Sequence, residues 1–273
     1  MAGALVRAFL VVLLVATPSL LLPGVTSDVT QIVALVSIFA AALTIFEYAS
    51  TYPGLVEFRD APPFNRLRFV SLFLTVFLIS IIVRGEHDAT AVTQLVSRIG
   101  NGIGEAIDFP YSPVRQIVLL LPGDTTFEQL GRVRTAAGIS YLISMVTVLA
   151  FYYFVRVRGW PTRTGPFNVW INLPTFDPTT GGDVVTRLER DARVNVGLGF
   201  LLPFLIPAVL KATESLFGTV TLDNPQTMIW VLASWAFLPA SLFMRGLAMG
   251  RIANLVERKR RSCARAAKRL QPA

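Results

Sequence analysis

Six stretches of almost unbroken apolar sequence, at roughly 7–22, 30–49, 68–83, 139–155, 196–210 and 227–244, alternate with polar intervals along this chain. Each stretch is apolar on every face instead of striped. Such a helix belongs in lipid, where the backbone must satisfy its own hydrogen bonds. At 1.5 Å per residue these runs approach or cross a hydrocarbon core of ~30 Å. The first, third and fifth are short for the task, so flanking residues or local bilayer thinning must make up the difference. The pattern predicts an all-α, polytopic integral membrane protein with six transmembrane helices over 1–250 and a tail over 251–273. A cleavable signal sequence is the competing reading of the first run, with Arg7, an apolar core over 8–16 and a Val25-x-Ser27 cleavage site. Apolar residues 20–22 prolong the run past an ordinary signal core, which favours a retained helix.

Two intervals carry structure of their own. In the third, 85–137, Val92, Leu95, Val96, Ile99, Ile103 and Ile107 recur at helical spacing and predict an amphipathic helix over 90–107. Ser112-Pro113 supplies an N-cap and a first-turn proline for a short helix over 114–121. Thr125 and Glu128 have capping-box spacing at the entry to the fourth span. Together these make a helical cap, partly sunk in the membrane interface. The fourth interval, 156–194, is different: Trp160, Pro161, Pro166, Phe167, Trp170, Phe176 and Pro178 describe an extended aromatic loop. Trp160 and Trp170 are expected at the headgroup level, as interfacial aromatics. A short helix over 183–193 follows Gly181-Gly182. The last three spans do not repeat the first three, which weighs against an inverted-repeat transporter.

Charge orients this plan. Of 25 Lys and Arg residues, 19 lie before the first span, in the second and fourth intervals and in the tail; six lie in the others. The positive-inside rule therefore puts both termini in the cytoplasm and the 85–137 cap outside. With 53% apolar and 15% charged residues, the composition excludes an ordinary soluble domain. A net charge of +8 beside membrane spans points to anionic lipid headgroups, not nucleic acid. Cys263 is the single cysteine, so no intrachain disulfide forms, and no Asn-x-Ser/Thr sequon occurs. Arginine outnumbers lysine 22 to 3, an association with GC-rich bacterial genomes. The expected location is a bacterial cell inner membrane.

Candidate chemistry is sparse. Glu86, His87 and Asp88 leave the third span together, but a metal site needs three or four ligands and no second His or Cys thiolate lies outside. No metal, cofactor or catalytic residue is expected. Pro203 and Pro207 in the fifth span, and Pro239 in the sixth, free backbone carbonyls and predict helix kinks, read as packing bends ahead of ion ligation. Glu47, Lys211 and Glu214 lie near span ends where they reach water, Lys211 and Glu214 at pairing distance along the helix. The central part of every span is free of charge, which argues against ion-coupled transport. The tail continues as a basic amphipathic helix, with Arg258, Lys259, Arg260, Arg261, Arg265, Lys268 and Arg269 facing anionic lipid or an acidic partner. Cys263 is read as packing on its apolar side. Gly246-xxx-Gly250 and Ser37-xxx-Ala41 offer close helix approach, to another subunit or to a second copy.

These features favour a non-enzymatic accessory, scaffold or assembly protein of a larger membrane complex. Two other readings stand beside it. One is an oligomeric small-solute transporter or channel, with the proline-bearing fifth span along the path. The other is an interfacial lipid-modifying enzyme using Glu86, His87 and Asp88 outside or Asp177 and Asp183 inside.

Overall fold

In a computed structural model, which describes residues 2–161, 167–177, 179, 181–213 and 222–270, every regular element is a helix. In chain order these are α1 (Ala2–Leu21), α2 (Ser27–Ala49), α3 (Phe64–His87), α4 (Ala91–Ile107) and α5 (Pro113–Val118). α6 (Phe127–Arg156), α7 (Val169–Asn172), α8 (Val184–Ala212) and α9 (Pro225–Leu270) follow. Six of them, α1, α2, α3, α6, α8 and α9, are long and apolar enough to cross a membrane.

Side-chain caps set where these helices begin. Thr26, Thr126 and Asp183 accept from the amides of Val29, Gln129 and Thr186, each filling one of the orphan donors of a first turn. Ser112 does the same for Arg115 at α5, with Pro113 in the first turn. The cap of α6 is therefore Thr126, one residue beyond the Thr125 expected from the capping-box spacing. Thr90 and Thr93 cap α4 reciprocally, with Thr standing where Glu or Gln is usual.

The helices run further than the apolar runs alone. The 183–193 segment and the fifth span form one helix of 29 residues, α8, because no helix breaker separates them. The sixth span and the tail likewise form one helix of 46 residues, so the tail is an extension of α9 and not a separate unit. At 1.5 Å per residue α9 is ~69 Å long, more than twice the ~30 Å of a hydrocarbon core. The proline and aromatic loop is not wholly extended: Asn168 caps the single-turn α7 through its side chain, accepting from the Trp170 amide.

Packing is uneven. α9 is the central element and packs against α8, α6 and α3; α1 covers α3 and α2. Two apolar cores result. One joins Leu14, Val76, Ile79, Val133, Leu232 and Trp235, with Val114 and Ile117 of α5 sealing it at the end bearing α4 and α5. The other gathers Phe58, Phe64, Phe151, Trp160, Leu188 and Met249 at the opposite end. That opposite end also holds Arg245, Arg251 and Arg260, and is called the basic end below.

Two helix pairs meet through glycine. A Cβ on Gly246 of α9 would lie 2.8 Å from both the carbonyl oxygen of Ala192 and the amide of Val196 on α8. A Cβ on Gly138 of α6 would lie 2.7 Å from the Cα of Gly104 on α4. Gly250 also faces α8, its Cβ position 3.6 Å from Ala192. The small residues at 246 and 250 thus join two helices of the same chain, and the interface with a partner expected for them is internal.

Candidate functional site

The basic end is built around Trp160. This residue, expected against headgroups, is 3% exposed and donates its indole N–H to the Ala61 carbonyl at 3.0 Å. Its ring meets Phe151 at 5.1 Å and Phe58 at 5.6 Å. The 50–63, 157–161 and 167–177 segments therefore fold onto α6, α8 and α9 as a second core. A buried polar frame holds it in place. The Asn172 side chain accepts from the Asp60 amide at 3.0 Å, and its carbonyl accepts from the Phe58 amide at 2.7 Å. Trp170, by contrast, is 55% exposed and free to meet an interface.

Charges lock this layer to α9. Arg245 donates to both carboxylate oxygens of Glu57, at 2.6 and 2.8 Å, in the bidentate geometry that guanidinium favours. Arg251 donates to the Trp160 carbonyl at 3.0 Å. Arg260 reaches the N-cap carboxylate Asp183. The Arg260 guanidinium, with the Thr186 amide, holds the Asp183 carboxyl down at about 2. Glu47 does not reach water as expected. It is 2% exposed, and its carboxylate accepts from the amides of Gly54, Leu55 and Val56 at 2.9–3.2 Å. It works as a template for the turn after α2. Arg59 completes that turn, donating to the Glu47 and Ser50 carbonyls at 3.0 and 2.6 Å.

The tail residues Arg258, Lys259, Arg260, Arg261 and Arg265 are exposed along the last turns of α9. Arg260 and Arg261 are held by Asp183 and Glu257; Arg258, Lys259 and Arg265 form no ion pair among the described residues. Cys263 is exposed, not packed as expected, because α9 runs beyond the elements that could cover it. The side chains of Lys268 and Arg269 lie outside the described residues, as do Arg163, Pro166, Pro178 and Glu214.

At the opposite end the acidic candidates are drawn apart. Glu86 pairs with Arg132 of α6 at 2.8 Å and Asp88 with Arg84 at 3.1 Å, while His87 Nδ1 lies 3.5 Å from the Val83 carbonyl. Arg115 pairs with Asp108 and Arg134 with Glu105, so Arg84 and three of the four arginines of the 85–137 interval face a carboxylate. Asp177 and Asp183 are likewise committed locally, Asp177 to Thr179 and Asp183 to the start of α8. On α4 the glycine face is buried, whereas Val92, Leu95 and Ile99 form an exposed apolar stripe, with Phe109, Tyr111 and Phe127 exposed nearby in sequence.

The prolines stand within unbroken helices. Pro207 has no N–H, which frees the carbonyl of Pro203 four residues back. That carbonyl accepts from the Trp235 indole at 3.1 Å. The freed group is satisfied by a neighbouring helix and is not aimed at a path. Pro203 and Pro239 line an apolar cleft of about 460 Å³ between α6, α8 and α9, where Tyr141, Ser144 and Tyr152 supply the hydroxyls. The Cα atoms of α6 and α8 stay more than 8 Å apart, and α9 forms the floor of the cleft between them.

α2 is the outlier. Among the described helices its backbone comes close to α1 alone, and Ile32, Leu35, Ile38, Phe39 and Phe46 are all exposed. Besides Glu47 at its end, Ser37 is the one residue that α2 buries, with a hydroxyl that meets no partner among the described residues.

The chain matches no protein-family model, no curated protein and no solved structure. Sequence reasoning missed three elements of this geometry: the Glu57–Arg245 pair, the Glu47 turn and the Gly100-xxx-Gly104 face of α4. A lone glutamate in a basic interval and a second small-xxx-small spacing were the signals for the first and third.

Proposed function

We propose that this chain is a non-enzymatic accessory or scaffold subunit of a bacterial inner-membrane complex, with both termini and the Trp160 layer in the cytoplasm. One observation carries the reading: α2 is a span of 23 residues whose backbone, among the described helices, comes close to a single neighbour and which leaves apolar side chains on much of its surface. A span so loosely tied gains little from its own chain. Helix association in lipid is driven by packing, which a helix of a second protein would supply. The basic end adds a rigid, charged platform for a soluble acidic partner or for anionic headgroups.

The transporter and enzyme readings have less behind them. The Pro203 carbonyl, freed by Pro207, accepts from Trp235, and Glu86, His87 and Asp88 turn to separate partners.

Photocrosslinking residues at Ile38 and Phe39, tested in the native membrane, decide between partner and lipid. The expected outcome is a discrete protein adduct from these positions and none from Gly102, whose surroundings on α4 are open. Lipid adducts alone, together with a solitary monodisperse species in gentle detergents, would contradict the reading.

A further inference from the structure

A cavity of about 1130 Å³ opens at the basic end between α1, the end of α2, the 50–63 segment and the start of α3. Four guanidinium groups line it, those of Arg7, Arg59, Arg66 and Arg68, against one carboxylate, Asp60. Asp60 is already paired with Arg59 at 3.3 Å, and Arg59 is further spent on the turn after α2. The other three arginines form no ion pair among the described residues. Arg7 donates to its own helix at Gly3 and lies 4.5 Å over the Tyr48 ring. Arg68 is half-buried and has only neutral partners, Ser241 at 3.3 Å and Asn65 at 3.4 Å. Glu57, a carboxylate that bears on Arg68 electrostatically, is held bidentate by Arg245.

A partly buried guanidinium without a counter-charge is costly unless an anion completes it. Arg68 is such a group, and the exposed Arg7 and Arg66 line the same space. Guanidinium forks match phosphate oxygens in pairs, which makes phosphate the anion of choice. Most of the remaining wall is apolar, with Leu10 and Val11 on α1 and Phe69 and Val70 on α3; Thr44, Tyr48 and Asn65 are its polar members. The Cα atoms of α2 and α3 stay more than 8 Å apart, so the space between the two helices offers acyl chains a sideways entry. A soluble phosphate compound has no use for that wall.

We propose that this cavity binds the phosphate-bearing headgroup of an anionic glycerophospholipid, with Arg7, Arg66 and Arg68 as donors and the α1–α3 wall against its acyl chains. The site is separate from the tail, and it does not depend on α2 having a protein partner.

Native mass spectrometry of the purified full chain, titrated with phosphatidylglycerol, phosphatidylcholine or inorganic phosphate, tests this. Arg7 and Arg66 are exposed, so Arg7→Gln/Arg66→Gln is tolerated by the fold; Arg68→Gln is the stronger variant. The comparator neutralises Arg258, Lys259, Arg260 and Arg261 to Gln. Wild type and the tail variant should keep one tightly held phosphatidylglycerol that phosphatidylcholine does not replace. Both cavity variants should weaken that lipid by roughly tenfold or more. Equal binding by wild type and the cavity variants would overturn the proposal, as would loss confined to the tail variant. Displacement of the lipid by inorganic phosphate at millimolar concentration would overturn the lipid as the ligand.

Discussion

Trp160 shows how much a single residue decides at the basic end. Its ring fills the space between Phe58, Phe64 and Phe151, and its indole N–H satisfies a carbonyl that the 50–63 segment would otherwise bury unpaired. Trp160→Ala should destabilise the protein by roughly 3–5 kcal/mol, read as a fall in unfolding midpoint in detergent. Trp235→Phe keeps most of the apolar contact but strands the Pro203 carbonyl, so a smaller loss of roughly 1–3 kcal/mol is expected from the same measurement. The hydrophobic pattern displays Trp160 as one more aromatic in a loop, because sequence spacing carries no record of which distant segments close around it. The prolines of α8 were legible as kinks or ligands; only the position of Trp235 decides what receives the freed carbonyl.

Asp183 offers a pH test at the same scale. Its carboxyl is held at about 2 in the folded protein against an ordinary 3.8. A depressed folded value means that the N-cap and the Arg260 contact stabilise above pH 3.8 and are lost as pH falls through about 2. A carbon-13 titration of Asp183 should show that low midpoint, and Arg260→Gln should move it up. An unchanged midpoint in the variant would show that Arg260 does not hold the carboxylate.

Between helices, glycine sets the spacing. Gly246→Leu would drive side-chain atoms into the backbone of α8, and Gly138→Leu into that of α4; each should lower stability by roughly 1–3 kcal/mol or more. Gly102→Ala, on an open face of α4, should be neutral or stabilising by up to about 1 kcal/mol, since it only improves helix propensity. The contrast checks that contact, and not glycine content, is what matters. Small-xxx-small spacing was visible at 246 and 250 and equally present at 100 and 104, yet its partner was not. The same pattern serves an internal or an external interface, and only the three-dimensional placement of α8 and α4 distinguishes them. Element existence was easier to read than extent. The 183–193 helix and the tail are continuous with the spans beside them, because polar residues with good helix propensity prolong a helix that lipid has already nucleated.

Across the whole molecule, charge is sorted by end. At the α4 and α5 end every arginine but Arg98 sits beside a carboxylate. At the basic end Arg59, Arg245, Arg260 and Arg261 are paired, while Arg7, Arg66, Arg68, Arg258 and Arg265 form no ion pair among the described residues. That sorting is the three-dimensional form of the 19-to-6 split along the chain, and it is why the orientation could be argued from sequence while the partner could not. The proposed partner would be read by the surface of α2 and by the basic end, whose shape is written in contacts instead of composition. The central claim is the arrangement itself: six crossings, with the basic end inside. The native Cys263 is exposed and reports on it directly. A membrane-impermeant maleimide applied to intact spheroplasts should leave Cys263 unmodified until the membrane is opened, and should label a Gly123→Cys, Cys263→Ser variant without opening it. Labelling of Cys263 in sealed spheroplasts, with Cys at 123 protected, would contradict the account.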